Sequence, residues 1–216
     1  MQESRITLTP RTRKVATGIG ILAWGAVLTS LALSVTSATD VSDAFWAVFV
    51  FTGFFTIWTN TAVALAVTLP LLAPKSRLGR FFRRPGVVTG LAASIALVAI
   101  VYELLLRDGW SPLGIDLLLN LLVHYLIPVA FVVYWWHVTP KTALNWRGPL
   151  VWLSYPAAYT IFALVRGGLS GHYPYPFLDP AAFGYDGVAL SIAGIGLFFL
   201  LLSVILVGAG RLASTD

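Results

Sequence analysis

The sequence alternates long apolar runs with short connectors that are rich in charged residues, proline, glycine and serine. A helix needs roughly 20 apolar residues to cross about 30 Å of hydrocarbon. Six runs meet this requirement, and no connector is long enough for a soluble domain. The pattern therefore predicts an all-α fold in which residues 1–216 form one polytopic six-span membrane domain. The predicted spans are Val15–Val35, Ala44–Leu72, Val87–Leu106, Pro112–Trp136, Leu150–Val165 and Gly187–Val207.

The composition excludes several classes of protein. Apolar residues make up 58% of the chain and charged residues only 11%, whereas about 25% of a soluble domain is charged. A soluble enzyme domain, a disordered tail and a nucleic-acid-binding module are therefore excluded. The chain has no cysteine, which excludes disulfides, zinc–thiolate sites, iron–sulfur clusters and thiol nucleophiles.

The distribution of Lys and Arg predicts the orientation of the spans. Twelve of the 14 basic residues fall on one side of the predicted membrane, and Arg107 and Arg166 fall on the other. Since cytoplasmic connectors carry the excess of Lys and Arg, we expect both termini in the cytoplasm and the protein in the plasma membrane. The net charge of +5 thus reflects topology and contact with membrane lipids, not a nucleic-acid partner. The twelve residues are Arg5, Arg11, Arg13, Lys14, Lys75, Arg77, Arg80, Arg83, Arg84, Lys141, Arg147 and Arg211.

Ionisable and amide side chains inside a span are costly and indicate functional sites. The fourth predicted span carries Asp116, Asn120 and His124 at a spacing of four residues, which places them on one helix face. Pro128 continues this series. Because proline lacks an N–H, it leaves the carbonyl of His124 without its helical partner and predicts a kink.

The second predicted span places a hydroxyl at the depth of this histidine. Thr56 lies 13 residues after Asp43, and His124 lies 13 residues after Ser111. If Asp43 and Ser111 cap their helices, both side chains lie about 20 Å below the outer ends of the spans. Equal depth permits contact between Thr56 and His124 if the two helices are neighbours.

A hydroxyl beside a histidine is the minimum requirement for nucleophilic acyl transfer. Asn120, one turn above His124, would orient the imidazole or donate to an oxyanion, and Asp116 would support it from two turns away. Arg166, near the outer end of the fifth span, would bind a carboxylate or phosphate headgroup.

Each of these residues also has a purely structural interpretation. A threonine in a span commonly bonds the carbonyl one turn back, and a His–Asn pair can simply hold two helices together. An arginine near a helix end often extends towards the headgroups. The residues alone leave both interpretations open.

Three segments resemble those of a known family. They are Phe54–Ile57, with the sequence Phe-Phe-Thr-Ile, then Asn120-x-x-x-His124 followed by Pro128, and Tyr175–Asp179, with the sequence Tyr-Pro-Phe-Leu-Asp. In these segments the chain is similar to bacterial six-span membrane proteins. Those proteins are related to the eukaryotic androgen-induced and androgen-dependent six-span proteins, which are threonine hydrolases of fatty acid esters of hydroxy fatty acids. The resemblance covers essentially the whole chain.

This resemblance implies that Thr56 is a nucleophile and His124 its base. The first hypothesis is therefore an intramembrane lipid-ester hydrolase. Its substrate would be a hydrophobic acyl ester with the chain inside the bundle and a polar end near Arg166. The alternative is a non-catalytic transporter or lipid-binding protein that uses the same cleft. We expect no metal and no cofactor, since His124 is the single histidine deep in a predicted span. The sequence leaves the oligomeric state open.

Overall fold

The computed structural model describes residues 5–109 and 111–213, and this part of the chain is helical with no β-strand. Six helices of these residues are long and apolar enough to cross a membrane. The predicted all-α, multi-pass membrane architecture is therefore confirmed. The cytoplasmic placement of the termini and the identity of the membrane stay predictions. The six spanning segments are Pro10–Thr36, Phe55–Leu72, Pro85–Gly109, Gly114–Val138, Gly148–Ser170 and Pro180–Leu212.

Two of these segments contain a turn of π-helix. Tyr102–Leu106 continues the third span, and Leu122–Leu126 lies within the fourth. In the fourth span the π turn immediately precedes the helix that contains Pro128, so the chain widens where the proline removes a hydrogen bond. The α-helices are α1 (Pro10–Thr36), α2 (Val41–Phe51), α3 (Phe55–Leu72), α4 (Arg77–Phe81), α5 (Pro85–Val101), α6 (Gly114–Leu121), α7 (Ile127–Val138), α8 (Gly148–Trp152), α9 (Ser154–Ser170) and α10 (Pro180–Leu212).

The centre of the bundle is formed by α1, α3, α5 and α7. Helix α3 packs against α1 and α5, and α5 also contacts α7 and α10. The buried face of α5 is built largely from small residues, among them Gly90, Ala92, Ala93 and Ser94. Small side chains allow helices in a membrane to approach closely, and dispersion contacts then hold them together. This close packing fixes α3 against the third and fourth spans.

The second predicted span, Ala44–Leu72, is not one continuous helix. Helix α2 ends at Phe51 and α3 begins at Phe55, so the three residues between them interrupt the span. The prediction of unbroken helix was wrong here, because the apolar run continues through the interruption and contains no proline to mark it. Thr56 therefore lies in the first turn of α3 instead of deep within a longer helix.

The carbonyl groups around this interruption receive hydrogen bonds from side chains. The indole N–H of Trp58 donates to the carbonyl of Thr52 at 2.8 Å, and the hydroxyl of Tyr159 donates to that of Gly53 at 2.7 Å. The guanidinium of Arg166 donates to the carbonyl of Phe49 near the end of α2. Because an unpaired backbone group in hydrocarbon costs several kcal/mol, these contacts make the interruption possible inside the bundle.

The predicted helix caps that set the depth of the site were also wrong. Asp40, not Asp43, is the N-cap of α2, and its carboxylate accepts from the amide of Asp43 at 2.8 Å. The fourth span begins at Gly114, three residues after Ser111. Asp43 lies in the first turn of α2, where a carboxylate also interacts favourably with the helix dipole. Depths counted from Asp43 and Ser111 are therefore incorrect.

We predict that Gly53→Ala destabilises the protein. A Cβ atom at this position would lie 1.8 Å from Nη1 of Arg166 and 3.0 Å from the carbonyl oxygen of Val50. Overpacking of this kind costs about 1–3 kcal/mol, so the thermal midpoint in detergent should fall by roughly 5 °C. Gly25→Ala is the control, because nothing lies within 4 Å of the added Cβ there. Equal midpoints for the two variants would contradict the proposed packing around the interruption.

Candidate functional site

Thr56 and His124 are in direct contact. Oγ1 of Thr56 lies 3.3 Å from Nε2 of His124, although the two residues are separated by 67 others in the chain. Thr56 is carried by the first turn of α3, and His124 lies in the π turn of the fourth span. The Thr56 side chain is buried. The structure thus brings together a buried hydroxyl and an imidazole from two different spans.

Asn120 determines which nitrogen of His124 faces the threonine. Nδ1 of His124 lies 2.8 Å from Oδ1 of Asn120 and 3.2 Å from the backbone oxygen of the same residue. A backbone carbonyl can only accept a hydrogen bond. Nδ1 therefore carries the proton in the neutral ring, and Nε2 presents a lone pair to the hydroxyl of Thr56. This is the tautomer that a general base requires.

Tyr102 fixes the orientation of the Asn120 amide. Nδ2 of Asn120 donates to the Tyr102 hydroxyl at 2.7 Å, which directs Oδ1 towards the imidazole. The ring of Tyr102 also stacks on that of His124, with centroids 3.8 Å apart and planes inclined by 15°. Tyr102 was not predicted as a site residue. It lies on a different span from His124, so no local spacing in the sequence indicates the contact.

Asn60 ties the two halves of the site together. Its Nδ2 donates to the carbonyl of Thr56 at 2.9 Å and to the carbonyl of Val123 at 3.2 Å. The first bond lies within α3, whereas the second crosses to the residue that precedes His124. Asn60 is fully buried, and its Oδ1 has no partner among the described residues. Two sequence signals could have indicated this role: Asn60 is an amide side chain inside a predicted span, and it lies one turn after Thr56.

A large apolar cavity opens beside the hydroxyl of Thr56. Its volume is about 440 Å³, and it lies between α3, α5, α9 and α10. Apart from its tyrosines, the hydroxyl-bearing residues of this lining are Thr56 and Thr160. The Thr160 hydroxyl already donates to the carbonyl of Pro156 at 2.9 Å. The rest of the wall is mainly aliphatic and aromatic. Such a cavity suits a hydrocarbon chain and excludes most water. Residues along its length include Leu97, Val101, Leu164, Phe177, Ile192 and Gly196.

A second cavity, with a larger share of polar groups in its lining than the first, borders His124. It has a volume of about 410 Å³ and lies between α1 and α6, and its lining includes His124, Asn120 and Asp116. Ser30, Ser34 and Ser37 of α1 add three hydroxyl groups. We call this cavity the polar vestibule. The Thr56–His124 contact therefore lies between an apolar space and a polar one.

Asp116 and Arg166 are not part of the Thr56–His124 contact. Asp116 is exposed in the polar vestibule, and Asn120 rather than Asp116 contacts the imidazole. Arg166 is buried against the ring of Phe49, with its guanidinium carbon 3.7 Å from the ring centroid. Arg166 is not part of the wall of the apolar cavity. Its Nη1 has no hydrogen-bond partner among the described residues.

Within residues 5–109 and 111–213, no three His, Asp or Glu side chains lie close enough together to hold a metal ion.

The comparison with known proteins adds no family assignment. No protein-family model, curated protein or solved structure matches this chain.

We predict that His124 is neutral with its proton on Nδ1. Its contacts with the side chain and the backbone of Asn120 both favour this tautomer. The measurement is ¹⁵N NMR of histidine-labelled protein in detergent at neutral pH, with His124→Gln identifying the signals among three histidines. Asn120→Ala should increase the population of the other tautomer. A proton on Nε2 in the unmodified protein would contradict this assignment.

Proposed function

We propose that this protein is an intramembrane lipid-ester hydrolase in which Thr56 is the nucleophile and His124 the general base. The observation that carries the proposal is the 3.3 Å contact between Oγ1 and Nε2 at the boundary of an apolar and a polar cavity. A threonine hydroxyl with a purely structural role commonly bonds the backbone carbonyl one turn back. Here the hydroxyl faces an imidazole that Asn120 and Tyr102 hold in the tautomer of a base.

The first chemical step forms an acyl-threonine. Oγ1 of Thr56 attacks the carbonyl carbon of the ester while its proton moves to Nε2 of His124. The electron pair of the carbonyl π bond moves onto oxygen, which gives a tetrahedral oxyanion. When this pair returns, the bond to the alkoxy oxygen breaks, and the departing alcohol takes the proton from Nε2. Asn120 accepts from Nδ1 throughout and stabilises the transient imidazolium.

The second step is hydrolysis of the acyl-threonine by water. A water molecule attacks the acyl carbon, and Nε2 of His124 takes its proton. Collapse of the second tetrahedral intermediate releases the fatty acid and returns the proton to Thr56. The polar vestibule supplies a path for this water, because it borders His124, which is not part of the wall of the apolar cavity.

The substrate class follows from the shape and chemistry of the apolar cavity. With a volume of about 440 Å³ and a wall that is mainly hydrocarbon, it fits a long acyl chain. Membrane lipids or other hydrophobic acyl esters are therefore the expected substrates. The predicted headgroup role of Arg166 stays a prediction, and its unpartnered Nη1 is the feature that favours it. The same atom faces Gly53 at the interruption.

The family resemblance supports the same function. Two of the three segments that carry it contribute Thr56 and His124, which are in contact. The third contributes Tyr175, Phe177 and Leu178, which line the apolar cavity with Thr56. Segments that are distant in sequence thus converge on one site. The excess of Lys and Arg on one side further supports cytoplasmic termini and a location in the plasma membrane.

We predict that Thr56→Ala and His124→Ala each abolish ester hydrolysis. Removing a nucleophile or its base typically costs at least about 1,000-fold in kcat. The assay follows release of palmitate from a palmitoyl ester by the purified protein in detergent. Thr160→Ala is the matched control, because it removes a hydroxyl from the same cavity that is already bonded within its own helix.

The outcomes separate the proposal from its alternative. Wild-type turnover that persists in Thr56→Ala would show that the assigned nucleophile is wrong. If wild-type protein and Thr56→Ala both bind the ester without turnover, as shown by an equal rise in thermal midpoint, the protein is a transporter or lipid-binding protein.

A further inference from the structure

The segment between α9 and α10 places a tyrosine at the apolar cavity. Tyr175 is only 8% exposed, and its ring stacks on that of Phe177, with centroids 5.1 Å apart and planes inclined by 10°. It also packs edge-on against Phe54 at 5.8 Å. The 3-10 turn Pro176–Leu178 and the N-cap Asp179 hold this segment to the start of α10. Tyr175 thus has a fixed position beside the residue that precedes α3.

Helix α3 begins at this point with amide groups that no side chain of the N-cap residue satisfies. Its N-cap is Phe54, which has no side chain able to accept a hydrogen bond. The first amides of a helix, here those of Phe55 and Thr56, have no acceptor within the helix. The partial positive charge of the helix dipole is concentrated at the same end.

Tyr175 and Thr56 share the wall of the apolar cavity. Tyr175 therefore lies on the side of Thr56 that faces this cavity, whereas His124 is not part of its wall. An ester carbonyl under attack by Oγ1 of Thr56 would direct its oxygen away from the histidine. Tyr175 is the hydroxyl donor of this wall beside the start of α3.

We propose that Tyr175 is a further catalytic residue, whose hydroxyl donates a hydrogen bond to the oxyanion formed from the ester carbonyl. This inference rests on the proposed hydrolase function. Tyr175 packs against the N-cap of α3, so its hydroxyl experiences the positive end of the helix dipole, which increases the strength of its O–H as a donor. No proton is transferred to the oxyanion, so Tyr175 is unchanged when the carbonyl re-forms and the alcohol leaves.

The protonation state of Tyr175 is consistent with this role. Burial raises the pKa of its phenol, and hydrogen bonding with Thr56 and with the backbone of Phe55 opposes this rise only in part. A phenol whose pKa lies above 10 stays protonated at neutral pH. Tyr175 therefore keeps the proton that an oxyanion donor must offer.

The test compares Tyr175→Phe with Tyr155→Phe. Loss of one oxyanion donor typically lowers kcat by about 100- to 1,000-fold, and we expect this for Tyr175→Phe with KM changed less than about threefold. Tyr155 is the matched control, because it is a nearby tyrosine whose hydroxyl pairs with Thr59 at 3.2 Å and which is not part of the cavity wall. Tyr155→Phe should keep kcat within about threefold of wild type.

A second measurement tests the contact between Tyr175 and the oxyanion directly. A long-chain acyl trifluoromethyl ketone forms a tetrahedral adduct with a nucleophilic hydroxyl, and its inhibition constant should rise in Tyr175→Phe by the same factor by which kcat falls. A purely structural role would alter the thermal midpoint without this correlation. If Tyr175→Phe does not fold, replacement of Tyr175 by 3-fluorotyrosine keeps the ring and hydroxyl, and its more acidic phenol should bind the ketone more tightly.

Failure of this inference differs from failure of the proposed function. If wild-type protein has no turnover that depends on Thr56, the hydrolase proposal itself is wrong. If turnover depends on Thr56 but Tyr175→Phe keeps kcat and ketone affinity within about threefold, only the role of Tyr175 is overturned. Unchanged ketone affinity with 3-fluorotyrosine would overturn it in the same way.

Discussion

The interruption of the second span between α2 and α3 is the constraint on which the site depends. A membrane interior tolerates irregular backbone only where protein groups satisfy its polar atoms. Trp58, Tyr159 and Arg166 supply hydrogen bonds to carbonyls at or near the interruption. Because these carbonyls are satisfied, a new helix can begin inside the bundle, with Thr56 in its first turn. A continuous helix would give Thr56 a backbone partner one turn back and no free amides beside it.

The hydrogen-bonded series from Thr56 to Tyr102 completes this arrangement. Each member has one role, since Tyr102 orients Asn120, Asn120 orients His124, and His124 faces the hydroxyl. In a low-dielectric interior such a series is stronger than in water, and breaking it is costly. In the proposed hydrolase, its place between the apolar cavity and the polar vestibule would separate an acyl chain from water. The proposed hydrolase function explains this geometry better than a purely structural contact between two helices does.

The sequence allowed the spans and part of the site to be predicted, for identifiable reasons. Apolar runs of about 20 residues have few alternatives to a membrane helix, and the spacing of Asn120 and His124 places them on adjacent turns of one helix. The interruption near Gly53 could not be predicted, because its partners Tyr159 and Arg166 follow it by more than 100 residues. The apolar run itself shows no break there.

Tyr102 was missed for the same reason, and Tyr175 was noted only within a segment that resembles a known family. Tyr102 acts on a histidine of the next span, and Tyr175 reaches the start of α3 from the far side of α9. Pairing across helices depends on packing, which periodicity along one segment does not encode. The cap prediction at Asp43 failed because Asp40 and Asp43 lie close together and only geometry selects between them, and the one at Ser111 failed because the N-cap there, Leu113, has no capping side chain.

The central claim is that Thr56 acts as a nucleophile activated by His124. The most direct measurement is to treat the protein with a long-chain fluorophosphonate and to locate the adduct by peptide mass spectrometry. The account predicts a stoichiometric adduct on Thr56 that is absent in His124→Ala. An adduct on another hydroxyl, or labelling of Thr56 that is unaffected by loss of His124, would contradict it.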